Sequence, residues 1–507
     1  MNPIDSLVSF FNPVAGAKRM AARTSLKSLK RMSAKMNYDA AGRGRRGMKN
    51  KGDPSAKTVG RNNLIILRRN MRELGRNNSI IKSAVSAKTA HTIGTGIRPN
   101  ITPIAKTKAA KKKSDDLQSK INAWCSSTGS DLYGRNDFYG YQHLAFQTMI
   151  SSGECLIIRQ QTEEPETGIP LQLKILDGDH LDHTKNGKNA DNGNDVIDGV
   201  ELNSDEKAVA YWIFDEHPGD IGLYRGHNLK SKRIPADDVI HLYETLRPGQ
   251  IRGLPRGLAS AQKAKSLDEF QDARLEQMKV AACMVGVVTD NSIGPNADGS
   301  TPEALPEQLT PGLLLELGRG QGFAFNQPPS VSGQHDFVTE QLHDIAADWD
   351  ITYQALTQDL KQVNFTSGRM GWLDMYRKVD TDRSRIIIPI LLNRVWQWLS
   401  EALELTGQPA RNMRCQWIPP RREMFDPTKE IPPLIKAVRA GLKPMQRALI
   451  EQGDDPDEII NQFASWNEMV DRLNLIFDTD PRRVSGAGNT IPATEAEPEK
   501  ETVDDEE

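Results

Sequence analysis

A chain of 507 residues is several times the usual domain size, and with 37 % hydrophobic and 26 % charged residues it can bury about two to four cores. Its net charge of −2 hides a split: residues 1–113 carry 26 Lys and Arg against 4 Asp and Glu, whereas the remainder carries 39 against 63. That split predicts a polyanion or an acidic partner at one end and like-charge exclusion along the rest. It excludes a membrane protein as well, since the longest apolar runs, such as 386–392, are too short to span and that one contains Pro389.

Residues 1–57, rich in Lys, Arg, Ser, Ala and Gly, form a basic arm that is partly disordered or ordered only by neighbouring subunits. The run NNLIILRRNMRELGR at 62–76 then predicts a helix continuing to 92. Asn62 or Asn63 caps it, Leu64, Leu67, Met71 and Leu74 recur at helical spacing, and Arg68, Arg69, Arg72 and Arg76 crowd the other faces. Those arginines make either a solvated charged face or a surface for phosphate or an acidic partner, and sequence leaves both open. Residues 106–113 read as a basic spacer before helices at 114–125 and 141–151.

From Glu154 the period changes. ECLIIRQ, LQLKILD, VIDGVEL, KAVAYWIFD and ADDVIHLY, separated by Gly-, Asn-, Asp- and Pro-rich turns, predict a mixed sheet over 153–244. A long helix follows at 255–282, then strand-like MVGVV and GLLLELGRGQGFAFN around a Gly-, Pro- and Asn-rich loop, then a second helix at 335–349. Residues 369–405 predict a long apolar helix kinked at Pro389. The chain from 426 to about 476 reads as helical, and eight acids with one lysine from Glu495 onward mark a disordered tail.

Motifs for chemistry are missing. Gly42-Arg-Gly44-Arg-Arg-Gly47 matches a dinucleotide fingerprint by letters, but no apolar strand precedes it, and no Walker A sequence or nucleophile elbow occurs. Asp179, His180, Asp182 and His183 could ligate zinc or manganese, although without a further cluster they read as a polar turn. The acidic stretch 191–198 lacks EF-hand spacing. Cys125, Cys155, Cys283 and Cys415 are scattered and read as reduced, buried thiols of a cytosolic protein, and no secretory leader is evident. Neither aromatics interleaved with basic patches nor a base-reading module is present, so DNA contact is expected to be independent of sequence.

Tyr38-Asp39-Ala40-Ala41, the LRRNMREL helix, Arg76-Asn77-Asn78, Ile93-Gly94-Thr95-Gly96-Ile97, GECLIIR, LDGDHLD, IPADDVIHLY with PGQIRGLP, and LTQDL stand in an order that resembles the lambda-type portal proteins of tailed double-stranded DNA bacteriophages. The resemblance runs to about Pro481. Phe365-Thr366-Ser367-Gly368-Arg369 departs mildly from the aromatic-Ser-Ser-x-Arg pattern that follows LTxDL.

The resemblance implies an α+β portal fold assembled as a ring. Its parts would be a wing (58–254), stem helices (255–282 and 334–350) around a clip (283–333), a tunnel-loop region (351–368), a long kinked helix returning to the wing (369–425), a helical crown (426–484) and the tail (485–507). It implies no enzyme, no cofactor and no metal, but a homo-oligomer of twelve subunits at one vertex of the virion capsid. Double-stranded DNA would be packaged and ejected through it, with the large terminase subunit, the major capsid protein and a head–tail adaptor or completion protein as partners and synthesis in the host cytoplasm. The tunnel loop would offer Lys361, Asn364, Phe365, Thr366 and Ser367 to DNA. The rival reading is a DNA-processing enzyme or non-specific nucleic-acid binder using the basic N-terminal region.

Overall fold

The arginine-rich run folds as two helices rather than one, α1 (Leu64–Asn77) and α2 (Ser79–Thr92). Asn78 leaves the helical region at φ −105° and ψ 119°, and its side-chain oxygen accepts from the backbone N–H groups of Ile80 (3.1 Å) and Ile81 (3.0 Å). Asparagine competes with the helix for backbone donors, so it ends one helix and caps the next. The computed structural model describes residues 55–57, 63–220, 230–283, 287–290, 321–324, 334–480 and 482, less positions 106, 164, 362, 409, 425, 478 and 479; side chains of 280–333 fall outside the description. The expectations for most of the arm, for the Gly-rich 42–47 motif, for the acidic tail and for most of 283–333 lie outside the described residues.

β1 (Arg98–Pro103) leads to α3 (Lys108–Ser126), which begins inside the expected basic spacer because Thr107 caps it, accepting from Ala110 N at 3.2 Å. α4 (Phe138–Ser152) is capped by Asp137 and ends at Gly153, whose φ of +93° suits glycine. A Cβ there would sit 2.7 Å from the Leu254 carbonyl carbon, and one on Gly253 would sit 2.0 Å from Gly153 O, so the two backbone segments touch through a pair of glycines.

The strands form two antiparallel sheets instead of a mixed one. β2 (Glu154–Gln160), β3 (Gln172–Asp177) and β9 (Val239–Tyr243) make a three-stranded sheet in the order β3-β2-β9. β4 (Gly187–Lys188), β5 (Asp195–Ile197), β6 (Val200–Leu202), β7 (Ala208–Phe214) and β8 (Ser231–Pro235) make a five-stranded meander. Short turns can join only antiparallel neighbours, whereas parallel ones need a crossover of about a dozen residues. ECLIIRQ reads as a continuous apolar run because β2 is buried on both faces: Cys155 and Ile157 enter the main core, Leu156 and Ile158 a smaller core shared with Leu181, Val200 and Ile213.

α5 (Leu258–Cys283) and α6 (Gln334–Asp348) run antiparallel, as the contacts Ser260 N to Asp348 (2.8 Å), Lys263 to Asp344 (2.5 Å) and Phe270 against Phe337 (5.8 Å between centroids) require. β10 (Val287–Asp290) and β11 (Gln321–Ala324) pair between them. After α7 (Tyr353–Thr357) comes α8 (Phe365–Asp382), a π-helical segment (Arg383–Leu392) and α9 (Asn393–Leu405). Pro389 lies within the π segment, where the widened turn makes room for a ring that would strike the carbonyl four residues back. β12 (Met413–Ile418) returns to pair with β1, and α10 (Pro427–Arg439), α11 (Met445–Glu451) and α12 (Pro456–Arg472) complete the described chain.

A buried charge cluster joins these parts. Glu154 is fully buried and receives Arg68 Nη2 at 2.8 Å, Arg252 Nη2 at 2.5 Å, Gly253 N at 3.0 Å and His241 Nε2 at 3.0 Å. Arg68 also donates to Ser152 O (2.9 Å) and pairs with Asp179, while Arg72 pairs with Asp177 and Asp179. Burial opposes the charge on Glu154, but Arg252, Arg68 and His241 outweigh it and hold the carboxyl well below the usual range. His241 is lowered by burial despite that carboxylate, so its neutral Nε2–H is the donor.

Because the folded pKa of Glu154 is depressed, its contribution is present above the unfolded value of about 4.3 and is lost as pH falls below it. Glu154→Gln should leave the Arg252 guanidinium without its counter-charge and Arg68 with Asp179 alone, and destabilise the fold by about 3–5 kcal/mol near neutral pH. In chemical denaturation the gap to the parent should narrow below about pH 4. A gap that stays constant in acid would show that the carboxylate charge is not what stabilises the joint.

Candidate nucleic-acid interface

Thr352 caps α7, accepting from Ala355 N at 3.1 Å, and Gln358 closes it in the left-handed region at φ 58°. The connecting loop is then held by its own polar groups: Lys361 N donates to Asp359 Oδ1 (3.0 Å) and Val363 N to Leu360 O (3.2 Å). Asn364 is extended (φ −91°, ψ 160°) and caps α8, its side-chain oxygen accepting from Ser367 N at 2.8 Å while Ser367 Oγ donates to Asn364 O at 3.2 Å. The loop therefore spans 358–364 within the expected tunnel-loop region of 351–368. Phe365, Thr366 and Ser367 form the first turn of α8.

All five singled-out side chains are exposed. Lys361 carries a single point charge near Asp359 in a loop of no net charge. Asn364 spends its carbonyl oxygen on the cap and keeps its NH2 for outside contact. Phe365 is 52 % exposed, and Lys429 Nζ of α10 stands 5.2 Å from its ring centroid. This row of cation, amide and aromatic edge can touch a polyanion without enclosing it.

The structure adds neighbours that the sequence did not single out. A cleft of about 890 Å³ lies beside the segment, lined by Phe365, Arg369, Trp372, Tyr376, Arg421 and Arg422 among others. Arg422 stacks over Tyr376 at 4.8 Å, Arg369 reaches Glu430 at 3.5 Å, and His91 meets Trp372 edge-on at 4.9 Å. Burial, then Arg383 and Lys88, hold His91 below its ordinary pKa. Arg383, pushed down to about 10 chiefly by burial, caps α2 by donating to Thr92 O (2.7 Å) and His91 O (3.1 Å). Gly94, Thr95, Leu360, Asn364 and Phe365 also line this cleft.

The D-H-L-D-H stretch disperses. Asp179 serves Arg68 and Arg72, His180 Nδ1 lies 3.1 Å from Phe214 O, and Asp182 accepts from Thr184 and Ser231. Asp177, Asp179 and His217 do converge, but both carboxylates already hold guanidiniums, whose charge would repel a cation. These residues do not fit a metal ion. Of the cysteines, Cys125 and Cys155 are buried and Cys415 is partly so, all as free thiols.

With this geometry in hand, the chain is placed by its family: it belongs to the lambda family of phage portal proteins, whose profile matches residues 42–383. It is 26 % identical over 412 residues to the probable portal protein of Halomonas phage phiHAP-1, covering 77 % of this chain and 76 % of that one. It is 21 % identical over 444 residues to the portal protein of Escherichia phage N15 (77 % and 81 % covered) and 21 % over 303 residues to portal protein B of Escherichia phage lambda (52 % and 56 %). A solved structure described as the neck of a native GTA particle computed with C12 symmetry superposes with a TM-score of 0.46 at 14 % identity, over 77 % of this chain and 93 % of that one. Portal proteins have a structural role and not a catalytic one. Among the described residues no helix is long and apolar enough to cross a membrane.

Asn364→Ala should cost α8 its cap, about 0.5–2 kcal/mol, and raise amide exchange over 365–368, whereas Lys361→Ala should stay within about 0.5 kcal/mol of the parent. Equal protection of 365–368 in the parent and in Asn364→Ala would mean the cap is not what starts this helix.

Proposed function

We propose that twelve copies of this chain close head to tail into a ring at one capsid vertex, seated against the major capsid protein. Double-stranded DNA passes through it during packaging and again during ejection. The ring docks the large terminase subunit first and head–tail joining proteins afterwards. The family match over 42–383 carries this reading. The charge split supports it: an acidic body along the channel does not grip a duplex that carries about one negative charge per 1.7 Å. We assign the constriction to 358–368, where Lys361 and Asn364 touch phosphates without reading bases and Phe365 narrows the bore.

The antiparallel pair α5 and α6 is assigned to the stem, and the segment between them, 283–333, to the clip that meets terminase and adaptor. Removing 289–310 should spare ring formation and weaken that docking, read as ring mass together with terminase co-sedimentation. Undiminished docking by such rings would place the contact elsewhere.

Lys361→Ala and Phe365→Ala should both assemble, and rings carrying them should package DNA but retain nearly full-length genomes less well, the phenylalanine change more so because it widens the bore. Native mass measurement and DNA length in filled capsids test this together. If rings form and both variants retain DNA like the parent, 358–368 is only a connector and the channel is lined by other residues. A monomeric parent chain would overturn the ring itself.

A further inference from the structure

The crown presents two apolar faces that the described chain covers in part, with Val438 half-buried and Trp466 meeting Phe477 at 5.8 Å between ring centroids. Ile431, Ile435 and Val438 on α10 and, just past its end, Leu442, which is 83 % exposed, follow one another at three- and four-residue steps. On α12, Ile460, Phe463 (62 % exposed), Trp466 (53 %), Met469 and, just beyond its end, Leu473 do the same. Isolated exposed hydrophobics need no explanation, but a stripe of four on a seventeen-residue helix, continued by Leu473, does. α11 touches both helices, and they make little contact with each other, so the two stripes do not cover one another within a subunit.

Their charges are opposite. Residues 427–447 carry five Lys and Arg against one Glu, and residues 454–472 carry six Asp and Glu against one Arg. On α10 Lys436 and Arg439 are exposed and make no ion pair among the described residues, and on α12 Glu458 and Glu468 are exposed in the same way. A ring built by head-to-tail contact needs two different, complementary faces on each copy, whereas a two-fold contact would need one self-complementary face. Basic-apolar against acidic-apolar satisfies the first condition and fails the second, because like charges would meet.

Resting on the ring reading above, we propose that the acidic stripe of α12 in one copy docks on the basic stripe of α10 in the next, so that the crown forms a continuous belt of alternating helices. The occupant of each face is a second copy of this chain. The opposite charges of the two helices fix which neighbour goes on which side.

Assembled rings of the double variant Ile435→Cys/Phe463→Cys, treated with a short bis-maleimide, should give a denaturing-gel ladder of linked chains, with the parent as control for native cysteines. Neither single variant should give it. Lys436→Glu/Arg439→Glu in the same background should lower the linking yield, as should Glu458→Lys/Glu468→Lys, and combining all four should restore it. A double variant that forms rings yet links only within one chain, or not at all, overturns the proposal, and in that case the acidic tail or the basic arm covers these stripes. Linking by Phe463→Cys alone also overturns it, since that requires a two-fold contact. Failure of the parent to form rings would sink the ring reading instead, and ring mass measured first keeps the two failures apart.

Discussion

Glu154 is the charge on which the joint between α1, α4 and the three-stranded sheet depends. It opens β2 directly after the glycine that ends α4, and its two oxygens collect α1 through Arg68, β9 through His241 and the chain leading to α5 through Arg252 and Gly253. With Arg72, Asp177 and Asp179 included, three guanidiniums face three carboxylates. A single carboxylate without these partners would not remain ionised at zero exposure. Apolar packing alone could hold these elements together, but it would tolerate small shifts between them; several directed hydrogen bonds to one fixed carboxylate do not. The cost is that no partner can be removed singly.

A second, smaller junction connects this frame to the candidate channel. Asp382, the last residue of α8, accepts from Arg256 at 2.6 and 2.9 Å, just before α5 begins, and lies 3.0 Å from the buried Lys88 Nζ of α2. Burial alone would push this carboxyl up, yet Arg256 and Lys88 together hold it below its ordinary pKa. The next residue, Arg383, caps α2, and the π segment starts there. The far end of α8 is thus pinned to the root of the long helix pair, while its near end, at Asn364, is held only by its own cap and by Lys429 and Glu430 across the way.

Sequence made the strongly periodic elements legible. The apolar run of β2 and the helical spacing of 258–278 each signal one element, and the structure places them within a few residues. What sequence concealed was partnership at a distance. Arg68 and Arg72 look like surface arginines because their acids lie more than eighty residues away, on strands and turns that read as ordinary polar punctuation. The acidic partner that the arginine helix seemed to want is in the same chain. β1, with Pro99 and Pro103, and β8, SKRIP, lack the alternation that marks a strand and are strands only because a neighbour pairs with them. Asn78 and Asn364 were visible as residues but not as boundaries, since an asparagine caps only where the backbone turns extended.

The remaining disagreement between sequence and structure is informative in itself. Ile65 and Ile66 on α1, Leu275 and Met278 on α5, Met370 and Leu373 on α8 and the two crown stripes are apolar residues left at the surface of one subunit. They occupy well-formed helices at regular spacing, so they are neither loop residues nor failures of packing. The described chain buries two cores and still exposes apolar faces along α5, α8, α10 and α12. A monomer with such faces would associate non-specifically, so they mark surfaces that a partner covers. The helical spacing of apolar residues in the sequence therefore signals both the core of the subunit and faces left at its surface, and only the structure of the single chain separates the two.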